Sequence, residues 1–158
     1  MDAAVQEAID YLAVRRLQDA YADVVNRRAW AELDELFVAD AVVRVDKRDG
    51  GALDLNGPAA LGAFIGGAID QYDFFEFVIL NSRVFLDPDG DANRATARVY
   101  MNELRHGRDS GRWSVAYGMY HDVYRRQDGR WKFARRDYQS LARTSPDFDV
   151  FPHPRIPF

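Results

Sequence analysis

The stretch that decides the fold is WSVAYGMYHDVYRR at residues 113–126, then QDG at Gln127, Asp128 and Gly129, then RWKFARRDYQSL at residues 130–141. Two runs rich in aromatic and β-branched residues flank Asp128-Gly129. That pair suits a tight hairpin, because both central positions of such a turn want positive φ and Asp and Gly tolerate it. The sequence therefore predicts a long antiparallel hairpin. Residues 94–105 read as another strand, followed by a loop from His106 to Gly111. Residues 74–86 read as a third, ending in the turn Asp87-Pro88-Asp89-Gly90-Asp91. Long strands joined by short turns make an antiparallel meander.

The N-terminal half has a different period. From Ile9, apolar residues fall at Leu12, Ala13, Leu17, Ala20, Tyr21, Val24 and Val25, which is one face of an amphipathic helix ending near Asn26. A second short helix carries Trp30, Leu33, Leu36 and Phe37 and closes a helical hairpin. Residues 41–47 read as a strand that runs into a loop around Asp49, Gly50 and Gly51. Gly57-Pro58 starts a third helix, proline being tolerated in a first turn, with Leu61, Phe64, Ile65, Ala68 and Ile69 on its buried face. Helices first and a meander afterwards predict an α+β domain in which the sheet curls over three helices. That domain covers residues 1–143. The tail, 144–158, carries Pro146, Pro152, Pro154 and Pro157 among Phe148, Phe151 and Phe158, and is expected to pack on the domain or on a neighbouring subunit.

Composition narrows the function. A chain of 158 residues that is 47% hydrophobic and 29% charged is one globular domain. Its 21 basic residues against 25 acidic ones give a net charge of −4, with no basic run longer than a doublet, which argues against nucleic acid as a partner. With 0 cysteines, disulfides, thiolate nucleophiles and cysteine-bound metals are excluded. No apolar run approaches the roughly 20 residues that cross a bilayer. Asp2 and Glu7 stand where a signal peptide carries positive charge, so no membrane partner and a cytoplasmic location are expected. The His, Asp and Glu spacing offers no metal site, and there is no Gly-rich phosphate loop or Ser-centred nucleophile motif. No cofactor is therefore expected.

Several pieces, weak singly, stand in a telling order: Tyr21-Ala22 before Asn26-Arg27-Arg28-Ala29-Trp30, residues 36–41, Gly57-Pro58, Asn81, residues 118–122 and residues 128–136. From about Glu7 to about Leu141 the chain resembles the SnoaL-like and scytalone-dehydratase-like proteins of the nuclear transport factor two-like superfamily. The resemblance implies a cone, a cystatin-like α+β barrel, with a mostly apolar pocket between helices and concave sheet. It also implies an Asp–His pair as general base. Here those two positions fall at Asn26 and Phe77, and neither an amide nor a phenyl ring takes a proton near neutral pH. A one-residue shift of the alignment would put Glu76 at the histidine position.

The remaining candidates come in pairs of readings. Tyr117 falls where a second histidine is expected and could donate a hydrogen bond to an enolate. His121, one of 3 histidines, shares its strand face with Tyr117 and Met119 and is either a proton carrier or a strand or interface histidine. Asn26 either holds a substrate carbonyl or caps a helix. Arg136 either holds an anion or forms a salt bridge with Asp122 across the hairpin. Tyr117, His121, Asn26 and Arg136 form the expected catalytic set. Tyr21, Trp30, Phe77, Lys47 and Met119 form the expected substrate contacts, with a surface lysine and a core tyrosine as the alternatives for Lys47 and Tyr21. The function expected is a small cofactor-independent dehydratase, isomerase or cyclase acting on an apolar cyclic oxygenated molecule. The alternative is a binding protein or a subunit resembling the β subunit of ring-hydroxylating dioxygenases. A homodimer or homotrimer is expected, since the outer sheet face and the tail are too apolar for a monomer.

Overall fold

The computed structural model describes residues 2–144 and the backbone of residues 149–150. Helix α1 spans Ala3–Arg27. It begins well before Ile9 because Asp2 caps it, its carboxylate accepting the Ala4 N–H at 3.1 Å. It ends at Arg28, which takes a left-handed φ of 57°. The expected second helix is reduced to a 3-10 turn, Trp30–Glu32, and the single turn α2, Leu33–Leu36. Phe37 already opens strand β1, Phe37–Asp46, where Val38, Val42, Val43 and Val45 favour extended backbone. Strand β2, Ala52–Asn56, is an addition to the expected set, and α3 spans Pro58–Ile69.

The rest is the meander, slightly longer than expected: β3 Tyr72–Leu86, β4 Arg94–Gly107, β5 Trp113–Gln127 and β6 Arg130–Arg143. Asp128 and Gly129 turn β5 into β6 with φ of 51° and 74°. A two-residue strand β7, Asp149–Val150, pairs with Ala142 and Arg143. The expectation for the packing of the tail otherwise lies outside the described residues.

The sheet order is β2-β1-β6-β5-β4-β3. One pair departs from the antiparallel expectation: β1 and β6 run parallel, with Val43 opposite Arg136. The cause is the route of the chain. It leaves β1 through β2, crosses by α3 to the far edge at β3, and meanders back so that β6 arrives alongside β1 in the same direction. The sheet is curved, mixed and open, with β2 and β3 at its edges, rather than a closed barrel. Extra residues in β3 and β6, seen as register shifts at Ile79/Asn81, Val123/Tyr124 and Tyr117/Gly118, help bend it.

Inside the curve lies α1, with Val14, Leu17, Tyr21, Val24 and Val25 buried against the sheet. Phe37 stacks on Phe133 at 4.8 Å, and Tyr21 meets the edges of Phe37, Phe77 and Phe133 at 5.7–5.9 Å. Helix α3 closes on Trp30 through its glycines: a Cβ at Gly62 would come within 3.1 Å of the Trp30 Cβ, and one at Gly66 within 3.1 Å of its indole Nε1. The N-terminal half of α1 is tied to the β5–β6 hairpin by Asp10, which accepts from Trp131 Nε1 at 3.1 Å and pairs with Arg126 at 2.6 Å. Among the described residues no helix is long and apolar enough to cross a membrane.

Candidate functional site

Side chains alternate across a strand, so register decides which of them reach the interior. On the concave face one rung runs Phe77, Glu103, Ala116, Arg143 across β3, β4, β5 and β6. Deeper rungs bring Met101, Gly118 and Ser140 together, then Val99, Tyr120, Tyr138 and Val45, then Ala97, Asp122, Arg136 and Val43. Between this face of the sheet and helix α3 lies a cavity of about 280 Å³. Its apolar wall is Val43, Val45, Leu61, Ile65, Phe75 and Phe77, and its polar groups include Tyr21, Tyr120, Tyr138, Glu103, Arg105 and Arg143.

The floor is a buried polar stack. Arg136 donates to Asp122 from Nε at 2.8 Å and from Nη2 at 3.1 Å, Tyr124 donates to Asp122 at 2.7 Å, and Gln18 donates to the Tyr124 hydroxyl at 2.8 Å. Burial pushes the Asp122 carboxyl up, and the paired guanidinium and the phenol oppose it; an acceptor of three hydrogen bonds sits there as the carboxylate. Burial works against the charge on Arg136, but Asp122 holds it above its ordinary value. The guanidinium lies 4.1 Å from the Tyr21 ring centre and 3.9 Å from that of Tyr120. Arg136 thus lies beneath the two tyrosines and does not itself line the cavity.

Burial raises the phenol pKa values of Tyr21, Tyr120 and Tyr138. The Arg136 charge opposes the rise at Tyr21, and the Glu103 charge adds to it at Tyr120 and Tyr138. All three therefore keep their protons at neutral pH and act as hydrogen-bond donors. The Tyr138 ring lies over Gly118, where a Cβ would collide with it. Glu103 and Arg105, two apart on β4, share the inner face and pair side by side, with Arg105 Nε at 3.0 Å from Glu103 Oε2 and Nη2 bonded to the same oxygen. Burial works against the Arg105 charge, yet Glu103 holds its pKa above the ordinary value.

The four expected catalytic residues do not share this cavity. Tyr120, Asp122 and Tyr124 face inward, so Tyr117, Met119 and His121 face outward on β5. Tyr117 is 39% exposed there, whereas His121 and Met119 are buried. The amide of Asn26 is committed to the backbone of Phe77, donating to its carbonyl at 2.9 Å and accepting its N–H at 2.7 Å. Arg136 forms the salt bridge with Asp122 instead of facing an anion. Of the expected substrate contacts, Tyr21 and Phe77 line the cavity, Trp30 packs on α3, and Lys47 is exposed past the end of β1. Glu76, the alternative to Phe77, is exposed on the outer face. Sequence reasoning missed Glu103 and Arg105 as cavity residues, although a signal was present. Ala95, Ala97, Val99 and Met101 alternate with Thr96, Arg98, Tyr100 and Asn102, and extending that period carries Glu103 and Arg105 to the inside.

Comparison with known proteins agrees with this architecture. The family model described as a SnoaL-like domain matches residues 6–137. Among solved structures, a scytalone dehydratase candidate from Novosphingobium aromaticivorans is 20% identical with a TM-score of 0.77, over 89% of this chain and 90% of that one. The type 3 LinA hexachlorocyclohexane dehydrochlorinase of Novosphingobium barchaimii is 19% identical with a TM-score of 0.75, over 96% and 100%. A candidate aromatic ring hydroxylase from N. aromaticivorans is 24% identical with a TM-score of 0.68, over 91% and 94%. At these identities the likeness is one of fold. Comparison with curated proteins gives no match.

Proposed function

We propose a function from the premise that this chain belongs to the SnoaL-like domain family: it is a small enzyme of lyase or isomerase type that needs no cofactor and acts on an apolar, cyclic, oxygenated molecule. The observation that carries this reading is the composition of the cavity. Aliphatic and aromatic walls from β1, α3 and β3 suit a ring system. Tyr120 and Tyr138, protonated on the opposite wall, offer hydrogen bonds to a carbonyl or hydroxyl oxygen as negative charge grows on it. The dehydratase candidate and the dehydrochlorinase among the similar structures fit elimination chemistry in such a cone.

A second reading has its own support. The Asn26–Phe77 clamp occupies both positions where the resemblance expects a base, which favours a ligand-binding or subunit role. One experiment separates the two. The α-hydrogens of 2-tetralone, an apolar cyclic ketone, are followed by NMR in D₂O with the native protein and with Val45→Trp, which fills the cavity. Accelerated exchange that Val45→Trp removes supports the enzyme. Binding of 2-tetralone without accelerated exchange refutes it in favour of the binding reading.

A further inference from the structure

We infer that Glu103 is the proton acceptor of this cavity, the group that removes hydrogen from a carbon next to a carbonyl; the inference rests on the enzymatic reading above. Among the described residues it is the single carboxylate that lines the cavity. Its side chain is 17% exposed, so it is screened from bulk water yet open to the cavity. Both contacts from Arg105 go to Oε2. Oε1 therefore has no hydrogen-bond donor among the described residues and keeps its lone pairs for an incoming proton. Arg105, held in turn over the Tyr72 ring at 5.8 Å, fixes the rotamer of the glutamate.

The neighbours on the sheet complete the arrangement. Phe77 stands beside Glu103 on β3 and supplies a flat apolar surface, and Ala116 flanks it on β5. Tyr138 lies one strand beyond β5, close enough to Glu103 to feel its charge. A ring lying against Phe77 and Ile65 thus meets a base on one side and phenolic donors on the other. In the step itself, Glu103 Oε1 takes the proton. The C–H electron pair becomes the new carbon–carbon π bond, and the carbonyl π pair moves onto oxygen, where Tyr120 and Tyr138 donate to it. Exchange of that proton on Oε1 for a solvent deuteron, followed by return to the same carbon, gives α-deuteration, and return to another carbon of a conjugated enolate gives isomerisation. Departure of a β-hydroxyl as water, protonated by the acid form of Glu103, gives dehydration. Atoms and electrons balance in each case, with solvent supplying the deuteron for exchange.

The test uses the full chain and 2-tetralone in D₂O. Glu103→Gln keeps the shape but cannot accept the proton, and α-hydrogen exchange is expected to fall by about 10²–10⁴ with 2-tetralone binding retained. Glu103→Ala is expected to recover exchange when formate is added, which a purely structural role would not allow. Should the glutamine variant fail to fold, Glu103→Asp carries the test, since withdrawing the carboxylate by one methylene must slow exchange at least about tenfold. Native exchange that persists within about threefold in these variants overturns Glu103 as the base and leaves the enzymatic reading standing. A native protein that binds 2-tetralone without exchanging it overturns both.

Discussion

Replacing Asn26 by aspartate would restore the carboxylate that the family resemblance expects, and the structure gives a definite outcome. The amide now makes two bonds to one residue: Nδ2 donates to the Phe77 carbonyl at 2.9 Å and Oδ1 accepts the Phe77 N–H at 2.7 Å. In Asn26→Asp the second survives, and the first becomes a carboxylate oxygen facing a carbonyl oxygen. One net hydrogen bond is worth about 1 kcal/mol, and an acceptor left unmatched adds to the loss. Asn26 is itself solvent-exposed, so water softens the penalty. The expected destabilisation is about 1–2 kcal/mol, or roughly 2–8 °C in melting temperature for a chain of this length. Its pH dependence has a definite sign. The protonated acid can donate to the Phe77 carbonyl as the amide did, so the variant's carboxyl has a folded-state pKa above its unfolded value of about 3.9. The deficit relative to native is therefore smallest below about pH 3.9 and reaches its full size as pH rises through the folded-state value. Thermal melts of native, Asn26→Asp and Asn26→Leu from acid to neutral pH measure this, the leucine variant losing both bonds with no such pH dependence. An aspartate variant as stable as native at neutral pH, or a deficit that grows in acid, would refute the clamp.

Two further outcomes follow from the packing. Gly118→Ala would drive a methyl into the Tyr138 ring and to 2.7 Å from the Met101 sulfur. The expected cost is about 1–3 kcal/mol by chemical denaturation, with weaker 2-tetralone binding as the ring is pushed into the cavity. At Asp10, burial raises the carboxyl pKa but hydrogen bonds from Arg126, Gln6 and Trp131 outweigh it and hold the pKa below the ordinary range. Its stabilisation is present above the unfolded value of about 3.9 and is lost as pH falls through the folded-state value. Asp10→Asn should accordingly be less stable than native near pH 7, with the two melting temperatures converging in acid.

The meander was readable because its turns carry their own chemistry: Asp128-Gly129 and the Asp87–Asp91 segment mark strand ends unaided. β2 was not, since ALDLN at residues 52–56 holds too few apolar residues to stand out from the Gly and Asp beside it. The parallel β1–β6 pairing leaves no local trace, because the partners are joined only through α3 and the whole meander. Within the site, β5 misled for a physical reason. It carries large residues on both faces, Tyr117 and Met119 on one and Tyr120 and Tyr124 on the other, so alternation alone does not say which is inside. A plain hairpin that pairs Gln127 with Arg130 would set Asp122 opposite Arg135. The extra residue Ala134 moves it opposite Arg136, and only with that bulge does the buried pair fix the inward face. The Asp122–Arg136 bridge, weighed from sequence as an alternative, was the clue that places His121 outside.

The parallel junction of β1 with β6 also bears on how the molecule assembles. β1 and β2 can pair as soon as they are made, but the other side of β1 has no partner until residues 130–143 have been synthesised. Until then β1 presents an unpaired strand edge beside the apolar side chains of Val43 and Val45, the feature through which incomplete chains stick to one another. Contacts of such long sequence separation also slow the search for the native state, because the connecting loop must be closed before they contribute. The last hairpin is therefore the kinetic gatekeeper of this protein. A slower-forming turn at Asp128-Gly129 should lower the yield of soluble chain more than it lowers the stability of the molecules that succeed in folding.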